Sequence, residues 1–424
     1  MTKKGISKDR ETALVVGFNA RPIAASAKRC GFRVLAVDYW GDTDLTNSAD
    51  DTETVLKQVA GERPRRELSK PAPELLVDCA KTISLRHLSE PSFALVGSGL
   101  DDRPDLWKKI GEIVPVLGNS MEALKAARDR FKLYEEASKL GISSPTTIVC
   151  SNLDEALDAS SKIGYPVVMK PSGGGGGIGI RLALTESELK GVYLEEWKPR
   201  FGDSVFIQEY IKGENVSASV MGDGEKSVIV SVNEQLIGLR ELGARAPFVW
   251  CGNVVPLQRS KRDTDRRAIC AAAVGLSDKL KLTGSNGFDF VLRSEDKSPI
   301  IIECNPRFQG TLECIEMATG INLVREHIEA CTGKMKKKFP EAKRYVTKMI
   351  PFAKSRCMTG DLGGIIGVRD ISPTGMILEQ GDPVCTVHRV GNSKTQSIQK
   401  AMESVEEIYS RLRPEEISAY QGIR

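Results

Sequence analysis

The chain has 424 residues, room for about three domains, and its 41% hydrophobic and 27% charged content is that of an ordinary globular protein. A net charge of +4 is small for this length, and Lys/Arg alternate with Asp/Glu, so nothing calls for nucleic acid or a membrane surface as partner. The longest apolar run, "AICAAAVGL" from Ala268, is far short of a membrane span.

The opening "MTKKGISKDR" is polar and no apolar stretch follows it, so a cytoplasmic location is expected. Ten cysteines are scattered singly without a Cys-x-x-Cys, which argues for reduced thiols and against structural zinc. With three histidines (His87, His327, His388), chemistry built on imidazole has few candidates.

In chain order, Ala13–Val16 reads as a buried strand ended by Gly17, then a helix of small residues to about Arg29, then a strand Val34–Val37 ending at Asp38. This is the βαβ opening of a doubly wound parallel sheet, and "FALVGSGLDD" (Phe93–Asp102) is a later strand with its loop on the same edge. Ligands of such sheets sit at the carboxyl ends of strands, which makes Asn19, Arg21 and Asp38 candidates. The Gly17 turn lacks the full glycine fingerprint of a dinucleotide fold, so a structural turn is expected there.

A long amphipathic helix from Ser120 to about Leu140, followed by Gly141 and Pro145, marks a domain border. Asn152 with Glu155 forms a capping box for a short helix, and the strand "YPVVMK" leads into "KPSGGGGGIGI", Lys170 to Ile180. Gly174, Gly176 and Gly179 satisfy G-x-G-x-x-G only because glycines are so many. "IRLAL" follows, which is β-like, and a helix starts later at "TESELK", where Thr185 and Glu188 cap it. A dinucleotide turn would open a helix directly, and "TGKM" (Thr332–Met335) fails as a P-loop. What remains is a glycine-rich connection between antiparallel strands, with a lysine on the first: a flexible cover for phosphates.

"VFIQEY" and "VSASVMG" read as two strands of a hairpin turning at Lys212–Gly213. An adenine crevice wants free backbone groups at a strand end and a carboxylate for ribose hydroxyls, roles that Glu209, Tyr210, Ile211 and Glu214 fit. "FDFVLR" and "PIIIEC" are joined by "SEDKS", and centring that turn on Asp296 places Asp289 opposite Glu303. Cβ atoms of such a pair lie about 5 Å apart on one face, where like charges repel. The two carboxylates therefore want a cation, and hard oxygen ligands select Mg²⁺ or Mn²⁺. Asn305 adds a neutral oxygen on the same face, and Arg307 could reach a phosphate or an anionic intermediate. A one-residue slip of register would separate the acids. "KMKKK" (Lys334–Lys338) reads as a solvated helix end.

"YPVVMKPSGGGGGIGI", "VFIQEYIKGENVSASV" and "FDFVL…IIIECNPR", in that order and spacing, resemble the ATP-grasp ligases, in shape nearest the biotin carboxylase and carbamoyl-phosphate synthetase branch with its archaeal-type predicted carboligases. The resemblance implies an α/β chain: a doubly wound parallel-sheet N-terminal domain over residues 1–120 and an ATP-grasp α+β core over 121–335, with its glycine-rich lid at about 145–210. A small C-terminal closing domain over 336–424 completes it, with "MILEQGDPVCTVHRVGNSKTQSIQKAMESVEEI" as its strand–turn–strand–helix.

By the same resemblance, Lys170 contacts the ATP α-phosphate, and Gly174, Gly175, Gly176 and Gly177 cover the β- and γ-phosphates. Glu209 and Ile211 flank the adenine and Glu214 takes the ribose. Asp289, Glu303 and Asn305 hold Mg²⁺, and Arg307 steadies an acyl phosphate. Of Arg128, Arg130 and Lys132, Arg130 is chosen as a phosphate contact. The resemblance further implies a carboxylate and an amine (or related nucleophile) as substrates, ADP and phosphate as products, and a homodimer as a frequent arrangement. In the loop Asn233–Leu257, Arg245, Trp250 and Asn253 would line the acceptor side, and Cys251 reads as a packed thiol. Asp289 stands where that branch commonly has Glu, and its bicarbonate and biotin motifs are not recognisable here, so biotin carboxylation is not implied. Rival readings are an ATP-binding sensor or assembly protein without turnover, and an NAD(P)-linked oxidoreductase built on the first domain.

Overall fold

The computed structural model describes residues 10–64, 70–87, 91–258 and 263–414, so most of the polar N-terminal segment lies outside the described residues. Its first sheet is parallel, with strands in the order Asp51–Thr54, Arg33–Asp38, Thr12–Gly17, Pro91–Val96. Strand alternation splits its side chains between two cores. Leu14, Val16, Leu35 and Val37 pack with the helix Ala72–Arg86, while Ala13, Val15, Val34 and Ala36 share a core with Leu312, Ile315, Leu323 and Val324 further along the chain. Burial on both faces is what a parallel sheet requires.

The expected long helix is two. Ser120 caps Met121–Arg128 by accepting from Ala123 N, but Asp129 leaves the helical region (ψ 105°) and its carboxylate caps a second helix, Arg130–Lys139, by accepting from Phe131 N and Lys132 N. A capping residue in mid-pattern competes for backbone donors and restarts the helix. The chain then builds a four-stranded antiparallel sheet, ordered Thr147–Cys150, Val205–Glu209, Val167–Lys170, Arg181–Ala183. The strands flanking the glycine stretch pair antiparallel as expected, Val167 opposite Ala183.

Gly213–Asp223 does not form the expected hairpin with Val205–Glu209. It pairs instead with Thr283–Arg293 and Ser227–Ile237 in a separate eight-stranded sheet, so the short link 210–212 carries the chain from one sheet to the other. Alternation within each strand was legible, but the turn residues did not say which sheet the second strand would join. Three strands of the C-terminal segment (Tyr345–Met349, Thr386–Gly391, Val368–Arg369) extend this same large sheet, and the helix Lys394–Arg411 covers them with Ala401, Val405 and Ile408 buried. The basic run lies beyond rather than at a helix end: the helix stops at Cys331, and Lys336 pairs with Glu326. No described helix is long and apolar enough to cross a membrane.

His327 ties the helix Leu323–Cys331 to the sheet. Its Nδ1 accepts from Ser285 N at 2.9 Å and its Nε2 donates to Leu117 O at 3.1 Å, which fixes the neutral tautomer. Burial pulls its pKa down from 6.5 to about 4, against a smaller upward pull from the Leu117 carbonyl. Between those values the unfolded chain binds a proton that the native chain does not, so stability falls as pH drops from about 6.5 toward about 4. Urea unfolding across that range should show the loss, and His327→Gln should reduce the slope by at most about 1.4 kcal/mol per pH unit; an unchanged slope would remove the imidazole from this linkage.

Candidate active site

The large sheet, the glycine-bearing sheet and the carboxyl ends of the parallel strands enclose one cleft of about 1010 Å³. On its floor, Asp289 stands opposite Glu303, with Gly287 opposite Asn305. The register depends on an irregularity. Phe290 pairs with Ile301 but Asp289 with Glu303, so Ile302 is the extra residue of a bulge. Ile301 and Cys304 are buried in the core while Ile302 and Glu303 both face the cleft. With plain alternation from Ile301, Glu303 would point into the core.

Asp289 accepts from Gln235 Nε2 and Asn305 Nδ2, each at 2.9 Å. Its pKa is nevertheless raised, by lost hydration first and the Glu303 charge second, against Arg307, Asn305 and Gln235. Asn305 Oδ1 accepts from Arg307 Nη2 at 3.2 Å, and Arg307 Nε donates to Asp101 at 3.0 Å. This floor concentrates negative charge and carries oxygen donors suited to a hard cation.

Facing it are cations. Lys170, last residue of its strand, has its pKa lowered to about 8, by lost hydration first and Arg130 second, opposed by Glu303 and Asp289. The helix break at Asp129 sends the arginines on either side into the cleft. Arg128 bonds Asp102 (2.5 and 2.8 Å) and the Cys304 carbonyl (3.2 Å), and its Nη1 is 3.8 Å from Glu303. Arg130 stacks over Phe206 at 4.5 Å, and its buried Nη1 has no hydrogen-bond partner. A buried guanidinium nitrogen without an acceptor is costly unless an anion meets it. Lys132, by contrast, pairs with Glu135 and Glu136 outside the cleft.

The glycine segment is docked. Gly174 N donates to Asp102 at 2.9 Å, and Gly176 O accepts from Trp250 N at 3.0 Å. Gly177 (φ +77°) lies so close to the strand entry that a Cβ there would come within 1.8 Å of the Phe248 carbonyl. Around Gly174, Gly175 and Gly176 the space is open. The loop is thus pinned through Gly174, Gly176 and Gly177, while the Cβ side of Gly174–Gly176 opens onto vacant space.

At the sheet-to-sheet link, Glu209, Tyr210 and Ile211 line the cleft, and Glu209 Oε2 accepts from Thr146 N at 3.1 Å. Glu214 does not line it. Gly213, Asn215 and Ser217 face the cleft, so alternation turns Glu214 away, where Lys297 pairs with it at 3.4 Å. Trp250 and Asn253 line the cleft, with Asn253 Oδ1 accepting from Trp250 Nε1 at 3.1 Å, whereas Arg245 bonds the Gln380 carbonyl at 3.0 Å outside it. Cys251 is buried, as expected of a packed thiol. Asn19 lines the cleft, while Arg21 is spent on Glu313 and Asp370, and Asp38 on the N–H groups of Ala20, Trp40 and Gly41.

Residues unforeseen from sequence are Gln235, Asp101, Asp102 and Lys348. Lys348 is buried, donates to Gly310 O at 3.2 Å and lies 5.2 Å from the Trp250 ring centroid. Its one local signal was a lysine inside the apolar strand "YVTKM".

Two sheets closing on a cleft, a docked glycine loop over one side and paired carboxylates on the floor define the ATP-grasp architecture. Residues 127–311 match the ATP-grasp domain family. An uncharacterised protein of Methanocaldococcus jannaschii is 24% identical over 383 residues, 90% of this chain and 89% of that one. The carbamoyl phosphate synthase large chain of Clostridium acetobutylicum is 25% identical over 256 residues, 59% of this chain but only 23% of that one. Among solved structures, the fold is shared with the biotin carboxylase domain of Hydrogenobacter thermophilus 2-oxoglutarate carboxylase in complex with MgADP and bicarbonate (TM-score 0.70, 18% identity, 93% of this chain and 89% of that one). It is also shared with an ADP complex of N5-carboxyaminoimidazole ribonucleotide synthetase (TM-score 0.67, 14% identity, 95% and 97%).

Gly177→Ala should undock the loop, because neither the positive φ nor the Phe248 contact tolerates a methyl group. Hydrogen exchange of residues 171–179 is expected to rise while the large sheet stays protected; unchanged exchange would show the docking to be adaptable.

Proposed function

We propose that the protein is an ATP-dependent, ADP-forming ligase that activates a substrate carboxylate as an acyl phosphate and joins it to an amine. The observation that carries this reading is one cleft with Asp289 and Glu303 on one wall and Lys170 with the unpartnered Arg130 on the other. A nucleoside triphosphate with its metal is complementary to both.

Adenine would lie along Glu209, Tyr210 and Ile211, where the chain crosses between sheets, and Asn215, which lines the cleft where Glu214 does not, would meet the ribose. Lys170 and Arg130 would hold phosphate oxygens, and the N–H groups around Gly174–Gly177 would close over them. The residues fit Mg²⁺ or Mn²⁺: Asp289, Glu303 and Asn305 offer hard oxygens on one face of the cleft. Among the described residues no three His, Cys, Asp or Glu side chains form a complete metal cage. Mg²⁺ needs none, since one or two carboxylates plus substrate phosphates complete its shell. Bound there, the metal supplies neutralisation of charge developing on the transferred phosphoryl group.

The chain's own work is positioning. Arg307, held by Asp101 and Asn305, aims its guanidinium at the acid floor, where it would orient the substrate carboxylate for in-line attack and then steady the acyl phosphate. The docked glycine loop excludes water from that intermediate. The amine nitrogen then attacks the acyl carbon, the C–N bond forms, the C–O bond to phosphate breaks, phosphate leaves with its electron pair, and the surplus proton on nitrogen passes to the departing phosphate. No protein nucleophile is required.

Glu303→Gln should lower substrate-dependent ADP release by about a hundredfold or more, and a wild-type rate would sink the metal assignment. Lys170→Ala should weaken Mg·ATP binding by about tenfold or more through loss of a charged hydrogen bond; calorimetry showing unchanged affinity would remove Lys170 from the site.

A further inference from the structure

The cleft continues past Arg307 to the carboxyl ends of the parallel strands, where its chemistry changes. Phe18, Trp40, Pro22 and Pro383 form apolar walls, and Asp42 and Asp370 line the space between them. Phe18 packs tilted on Tyr39 (ring centroids 4.7 Å) and Tyr39 meets Trp40 edge-to-face (5.1 Å), which holds Trp40 at the wall.

The two aspartates are brought together by a backbone zipper. Thr43 N donates to Ile371 O at 2.8 Å, and the Asp44 carboxylate accepts from Asp370 N (3.1 Å) and Ile371 N (3.0 Å). Asp370 is 7% exposed and sits in the left-handed region (φ 52°). Strained backbone at a non-glycine residue persists where the surroundings over-determine it. One of its oxygens takes the Arg21 Nε at 2.5 Å, but the buried Oδ2 has no hydrogen-bond partner. Asn19 Oδ1, another lining atom, is likewise buried and unpartnered.

Charge does not balance here. The carboxylates of Asp38, Asp42, Asp44, Glu313 and Asp370 interact through Arg21 and one another, while Arg21 and Lys348 are the cations acting on Asp370. His388, next to Glu313, is held neutral, with burial pulling its pKa down to about 4. The Asp42 carboxyl has its pKa raised well above the ordinary value, by lost hydration first and then by Asp370, Asp38 and Asp44, with Arg21 opposing. A desolvated carboxyl among other carboxylates, with vacant acceptors beside it and aromatic faces around it, is complementary to an organic cation.

Resting on the ligase reading above, we propose that the second substrate is an amine that docks as its ammonium between Asp42 and Asp370, with an apolar or aromatic body against Trp40 and Phe18. Arg307 stands between the two ends of the cleft: the phosphates lie on its Asp289 side, the ammonium docks on its Asp370 side, and after giving a proton to the Asp42 carboxylate its freed nitrogen attacks the acyl carbon held at Arg307.

Calorimetry of the full chain tests this with ethylammonium and benzylammonium against ethanol and benzyl alcohol, neutral isosteres of each. The ammonium ions should bind at least about tenfold more tightly than their alcohols, the benzyl form above the ethyl form. Asp42→Asn, isosteric and breaking no internal hydrogen bond, should abolish that preference, with a melting curve checking its fold. Equal affinity for alcohol and ammonium, no heat with either ammonium, or a preference unchanged in Asp42→Asn would overturn the proposal. Mg·ATP binding by the wild type, measured alongside, keeps the two readings apart. Nucleotide binding without ammonium preference sinks the ammonium site alone, and ammonium preference without nucleotide binding sinks the ligase reading.

Discussion

Two carboxylates forced onto one face of a β-hairpin organise this molecule. Asp289 and Glu303 are directly opposed across antiparallel strands, an arrangement that costs free energy in the isolated chain. Everything near them answers that cost. Gln235 and Asn305 donate to Asp289, Arg128 approaches Glu303, and Arg307 presents its charge from the loop after the strand. The answer is partial, because Asp289 still holds its proton more tightly than an ordinary aspartate. A folded chain that leaves charge unbalanced on a cleft floor is built to complete the balance with something it binds.

The N-terminal sheet matters to that site although none of its strands carries the carboxylates. Its loop after Pro91–Val96 supplies Asp101, which holds Arg307, and Asp102, which holds both Arg128 and the glycine loop at Gly174. Its first helix supplies Arg21, clamped between Glu313 of the core and Asp370 of the C-terminal segment. A buried ion cluster of this kind contributes little net stability, since desolvation offsets the attraction, yet removing one partner strands the others. Its effect is to fix three segments, far apart in sequence, in one register around the cleft.

What the sequence made legible follows the range of the forces involved. Strand alternation, capping boxes and the strand after the glycines are local, and they located the Asp289–Glu303 hairpin and the paired strands flanking the glycines. The opposition of Asp289 and Glu303 was legible for a reason only half right. A turn centred on Asp296 places them together with no bulge, whereas the observed pairing runs one residue short until Ile302 bulges and restores it. Glu214, read as the ribose carboxylate from its place after a strand end, lies off the cleft because its side is set by Gly213 and Asn215 facing inward. The helix break at Asp129 was readable in principle, since an aspartate followed by two unbonded N–H groups is a cap. Lys348, Gln235 and Asp102 were not, because only tertiary contacts bring them to the site.

The break at Asp129 shows how one local choice propagates to chemistry. On a continuous helix, residues 128 and 130 lie about 200° apart and could not both face one cleft. Restarting the helix at Arg130 changes the axis between them. Arg128 then turns to Asp102 and the Cys304 carbonyl, and Arg130 turns to Phe206 on the strand beside Lys170. One arginine is thereby bonded on all sides and holds the lid's anchor, while the other keeps a buried nitrogen unpaired. The division of labour between a structural and a ligand-facing guanidinium rests on a single carboxylate taking the backbone donors that the helix would otherwise have used.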